Sequence, residues 1–72
     1  MRQKIRLDTM SDIEEFVEKV SSITEPIFLE DGNGSRVTAK SLMFTTAAKM
    51  YWPDLYVTCD RDISGSIIRW II

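Results

Sequence analysis

The chain has 72 residues, 44% of them hydrophobic, with nine basic side chains against eleven acidic ones, a formal charge of −2 and no histidine. That hydrophobic content at so low a net charge excludes a disordered chain, and the charge balance offers nucleic acid or an anionic membrane no overall attraction. Without histidine, imidazole acid–base chemistry is excluded, which turns the reading toward binding of a partner rather than catalysis.

From Gln3 to Leu7 the pattern alternates, with Ile5 and Leu7 on one side and Arg2, Lys4 and Arg6 on the other, which predicts a strand with one wet face. Asp8-Thr9-Met10-Ser11 is a helix start, and Ser11 with Glu14 three residues on fits a capping box. Met10, Ile13, Phe16, Val17 and Val20 then form one apolar stripe, with Glu14, Glu15, Glu18 and Lys19 mostly off it. Ser21 to Pro26 ends the helix, because proline and the residue before it resist helical geometry. Ile27 to Glu30 and Arg36 to Ala39 read as the two strands of a hairpin, joined through the turn Asp31-Gly32-Asn33-Gly34.

Ser41 is placed to cap a second helix, whose buried side is expected to be Leu42, Met43, Ala47 and Met50 and whose end falls near Tyr51-Trp52-Pro53. Leu55 to Cys59 alternates again, Leu55, Val57 and Cys59 facing one way and Tyr56 and Thr58 the other. Asp60 or Asp62 caps a last helix with Ile63, Ile67, Trp70 and Ile71 on its stripe, although Gly65 opposes helix and Ile67 to Ile72 also suits a strand. The order β-α-β-β-α-β-α predicts a single α+β domain over residues 1–72, a two-layer open-faced sandwich with helices on one face of an antiparallel sheet.

So short a chain has a thin core, worth only ~3–5 kcal/mol unless something else supports it, so a homodimer stays in view, with Arg69 to Ile72 as one route to it. The lone Cys59 cannot form an internal disulfide, and neither a signal-like apolar run nor a membrane-length one is present, so a cytoplasmic protein is expected. Cys59 sits at an inward strand position beside Asp60, which opposes thiolate formation. Trp52 and Trp70 either finish the core or anchor a partner. The carboxylates Glu30 and Asp31, or Asp60 and Asp62, are explained by turns and caps, and with no histidine and one cysteine no transition-metal site or cofactor is expected. Arg2, Lys4, Arg6 and Arg36 with Tyr56 have the residue types for binding a nucleic-acid strand, but a solvated sheet face accounts for them and no nucleic-acid partner is expected.

Three segments, in order, carry a resemblance: Phe16-Val17-Glu18-Lys19-Val20-Ser21, the hairpin tip Asn33-Gly34, and Val37-Thr38-Ala39-Lys40-Ser41-Leu42-Met43. Together with the element order, the chain resembles the HPr family, the small histidine phosphocarriers of the bacterial sugar phosphotransferase system, and their HPr-like relatives. The resemblance implies an HPr-like fold and places the family's active loop at Asp8, Thr9, Met10, Ser11 and Asp12. That loop is shorter than the family's and lacks its glycine, histidine, arginine and proline, so phosphocarrier chemistry is not expected. The resemblance also implies that Ser41 matches a regulatory phosphorylation site, and that Lys40, Leu42 and Met43 belong to a surface for protein partners of that system. Read from the residues alone, Ser41 is an N-cap first, and one or both of Leu42 and Met43 belong to the core. The expectation is a binding or regulatory module. The alternatives are a structural homo-oligomer, or a carrier or enzyme using Asp8, Thr9 or Ser11.

Overall fold

A computed structural model describes residues 1–72. Its first strand, β1 (Arg2–Ile5), runs antiparallel to β4 (Leu55–Cys59), with Arg2 opposite Thr58 and Ile5 opposite Leu55. β4 pairs on its other side with β2 (Ile27–Glu30), and β2 with β3 (Arg36–Thr38), all antiparallel, giving the order β1-β4-β2-β3. The first strand stops short of the predicted Leu7, because the Arg6 N–H turns to the Trp70 carbonyl at 2.8 Å, yet Leu7 is fully buried as its alternation requires.

The helix α1 (Met10–Ser21) follows β1, and its cap is not Ser11 with Glu14. Thr9 lies in extended geometry and accepts the Asp12 N–H on its side-chain oxygen at 3.0 Å, while Asp12 Oδ2 accepts the Thr9 N–H at 3.1 Å and the Asp8 N–H at 3.2 Å. Ile13, Phe16 and Val20 are buried and Val17 half-buried, but Met10, in the first turn, stands half-exposed. At the hairpin, Gly32 and Gly34 take φ of +86° and +101°, which side-chain-bearing residues rarely adopt, and Asp31 Oδ1 accepts the N–H groups of Asn33 and Ser35.

The second helix, α2 (Leu42–Tyr51), is rotated relative to expectation. Its buried residues are Thr45 and Ala48, and Leu42, Met43 and Met50 point outward. The cause is local. Small side chains let the helix axis settle close to the sheet, and Thr45 satisfies its hydroxyl by donating to the Ala39 carbonyl at 3.3 Å. The chain end also differs: in place of an α-helix there are two 3₁₀ turns, Ser64–Ser66 and Ile68–Trp70, after which Ile71 bridges to Ile5. Ser64, Gly65 and Ser66 hold no apolar contact that would sustain an α-helix, and Asp62 Oδ1 fixes the first turn by accepting the Ser64 N–H. Ile63, Ile67 and Trp70 are nevertheless buried, with Trp70 packed edge-on against Phe16 at 5.5 Å.

One hydrophobic cluster holds the inward residues of the sheet, Ile5, Ile27, Leu29, Leu55, Val57 and Cys59, together with both helices and the chain end. The architecture is thus a small α+β domain with a four-stranded open antiparallel sheet and two helices on one face.

Candidate functional site

Strand directions decide which candidate residues can meet. β1 and β2 both run opposite to β4, so they are parallel to each other, and α1 between them must run back; by the same logic α2, between the parallel β3 and β4, runs opposite to α1. The start of α2 therefore lies by the end of α1, and the Lys40 ammonium donates to the Ile23 carbonyl there. The loop Asp8–Asp12 stands at the other end of α1, about 18 Å away for a twelve-residue helix. The structure separates the first loop from Lys40 and Ser41.

In that loop the Thr9 and Asp12 side chains are committed to the backbone. Thr9 and Asp12 cap each other, and Asp8 pairs with Arg6 at 2.9 Å. The N–H of Thr9, foremost, and that of Asp8 hold the Asp12 carboxyl below its usual range against an opposing contribution from desolvation; the Trp70 indole adds a smaller lowering, although its N–H makes no hydrogen bond of normal geometry. A general base needs a proton-accepting group free to act, and Asp12 spends its lone pairs on the helix start. Ser11 is exposed beside it.

Ser41 caps α2 by accepting the Phe44 N–H on Oγ at 3.2 Å. Beyond it, Leu42, Met43, Phe44, Met50 and Tyr51 are all exposed. This surface is larger than Leu42 and Met43 alone imply. Helical spacing predicts Leu42, Met43, Ala47 and Met50 inward and gives Phe44 and Tyr51 no part in a surface; the signal available was the small pair Thr45 and Ala48, three residues apart and so on one face able to pack tightly.

The open face of the sheet forms two rows, Arg2-Thr58-Phe28-Thr38 and Lys4-Tyr56-Glu30-Arg36. Arg2 stacks on Tyr56 at 4.0 Å and Arg36 on Phe28 at 3.8 Å, and both guanidinium groups approach Glu30, at 3.7 and 3.5 Å. On this face both aromatic rings, Tyr56 and Phe28, carry a guanidinium of the chain itself. A groove of ≈ 570 Å³ between α1 and the chain end is lined mainly by polar groups such as Glu15, Glu18, Lys19 and Ser66. It lacks the apolar lining of a small-molecule site. Cys59 is free and buried, no group of three or more carboxylate or thiol side chains is arranged to hold a metal ion, and no helix is long and apolar enough to cross a membrane.

No family model matches the chain, and no curated protein or solved structure does so.

Proposed function

We propose that this chain is a protein-binding and regulatory module of HPr-like architecture, which docks its partner through the outer face of α2 and carries no phosphoryl group on its first loop. The observation that carries the reading is the set of five large apolar side chains left in water on a ten-residue helix. Folding gains nothing from that exposure, whereas a partner would bury it, and methionine adapts to varied surfaces. The first loop supports the same reading from the other side, since the Thr9 hydroxyl and the Asp12 carboxylate are engaged in capping, Asp8 is paired with Arg6, and the chain has no histidine to activate the Ser11 hydroxyl.

Ser41 is the regulatory point. A phosphate there meets the free N–H groups and positive dipole end of α2, and sets about two negative charges beside Leu42 and Met43 at the edge of the docking face. The module acts in the cytoplasm, with proteins of the phosphotransferase system among its partners.

The test is intact-mass analysis after two incubations, one with phosphoenolpyruvate and the first enzyme of the phosphotransferase system, one with ATP and the HPr serine kinase. Phosphate gained from ATP alone and lost in Ser41→Ala supports the regulatory reading. Phosphate gained from phosphoenolpyruvate overturns it.

A further inference from the structure

We infer that the partner seated on the outer face of α2 is a second copy of this chain, paired helix against antiparallel helix about a two-fold axis. The inference rests on the docking reading above and deepens it by naming the occupant.

Area is the first argument. At the exposures of Leu42 (44%), Met43 (76%), Phe44 (49%), Met50 (69%) and Tyr51 (78%), the helix presents on the order of 600 Å² of mostly apolar surface. Met43 and Met50 stand at its centre, Leu42 on one flank and Phe44 and Tyr51 on the other. Two copies bring up to about 1,200 Å², the lower end of a standard interface. A second copy brings the same area with the same chemistry.

Symmetry is the second. A two-fold interface must be self-complementary, because a residue that meets a second residue of the partner is met in turn by that residue's copy. About the midpoint of Thr46 and Ala47 the segment pairs Met43 with Met50 and the small Thr46 with the small Ala47, while Phe44 falls opposite Lys49. Met43 and Met50 lie two turns apart on the outward side, so an antiparallel copy sets Met43 against Met50 and Met50 against Met43. Between them stand Thr46 and Ala47, small enough for close backbone approach. Thr46 donates its hydroxyl to the Leu42 carbonyl at 2.7 Å, so no unsatisfied donor is carried into the seam.

Charge is the third. Lys49 is the one charged residue of α2, and it lies half-buried on the flank opposite Phe44 and Tyr51. No carboxylate on the helix is available to recognise a basic partner, and one lysine is little to attract an acidic one. What the face offers is apolar, adaptable and matched to itself.

Sedimentation equilibrium of the full chain from about 10 µM to about 1 mM, a range that spans weak and moderate association, is expected to show mass rising from one chain to two. Met43→Glu with Met50→Glu, at exposed positions that leave the core intact, is expected to hold the mass at one chain with an unchanged circular dichroism spectrum. Ala47→Cys is expected to form a disulfide dimer under mild oxidation, and Met10→Cys, at the start of α1, is not. A single-chain mass throughout the range, a dimer that survives the double glutamate variant, or equal cross-linking through Met10→Cys overturns the pairing. Those results leave the docking reading standing, since a different partner can still cover the face, and the regulatory reading at Ser41 is decided separately by the phosphate-transfer test.

Discussion

Thr9 and Asp12 close a reciprocal pair of hydrogen bonds at the start of α1, each side chain accepting the other residue's backbone N–H, at 3.0 and 3.1 Å. Two overlapping boxes compete here, Thr9 to Asp12 and Ser11 to Glu14. The first wins because Asp12 also accepts the Asp8 N–H and so ties the incoming loop to the helix. Thr9→Ala is therefore expected to cost about 1 kcal/mol, the usual loss of an N-cap, seen as a fall in Tm of roughly 4–8 °C for a domain of this size. Ser11→Ala should leave Tm within error. A larger loss in Ser11→Ala than in Thr9→Ala would show that the helix starts two residues later.

Four carboxylates at or near the surface have pKa values lowered by folding: Asp12 through the Thr9 N–H, Glu25 through Arg61, Asp31 through the Asn33 N–H and Asp62 through the Ser64 N–H. A lowered folded pKa contributes stability above the unfolded value, and the contribution is lost as pH falls through the folded one. With no histidine to titrate, Tm should be flat between about pH 6 and 8 and fall below about pH 4, where carboxyls begin to protonate. In Asp12→Asn/Asp31→Asn/Asp62→Asn the acid limb should be shallower and Tm at pH 7 lower. Thermal melts across the pH series measure both.

Gly32 and Gly34 differ in what a side chain would meet. Both have positive φ, so Gly→Ala at either is strained and should cost ~1–2 kcal/mol. At Gly32 an added Cβ would also lie 3.2 Å from the Tyr56 ring, whereas nothing lies within 4 Å at Gly34. Gly32→Ala should therefore shift the Tyr56 ring resonances and disturb its stacking with Arg2, and Gly34→Ala should not. Equal shifts in the two variants would argue against the packing of the hairpin tip on the sheet.

The parts of the fold legible in the sequence were those where one residue type had one physical solution. Gly32 and Gly34 had to turn, Pro26 had to end a helix, and the alternation of Leu55, Val57 and Cys59 had to face a core. Where two solutions competed, the pattern did not decide. In Leu42 to Tyr51, large apolar residues sit around much of the helix, and only packing shows that Thr45 and Ala48 allow the closest approach. Ser64-Gly65-Ser66 was weak evidence for a helix, and the backbone of Trp70 to Ile72 instead satisfies the free edge of β1 and its continuation, at Lys4 and Arg6. Of the candidate site, Ser41 as a cap was legible because its hydroxyl has a local partner. The size of the surface beyond it depended on the rotation of α2.

That rotation makes two opposite predictions for residues two positions apart. Ala48 is 4% exposed and Met50 is 69% exposed. Ala48→Leu would force extra methylenes into a packed layer, an overpacking that typically costs 1–3 kcal/mol. Met50→Lys should change the stability of the single chain by less than about 0.5 kcal/mol, as for other surface substitutions. Urea melts at a concentration low enough to keep the chain single separate the fold from any association through the same face. Had the helix buried Met50 and exposed Ala48, the order would reverse: the lysine variant would be crippled and the leucine variant indifferent. The comparison thus tests, in two variants, whether α2 keeps its methionines outward, the condition on which both the docking face and the paired copy depend.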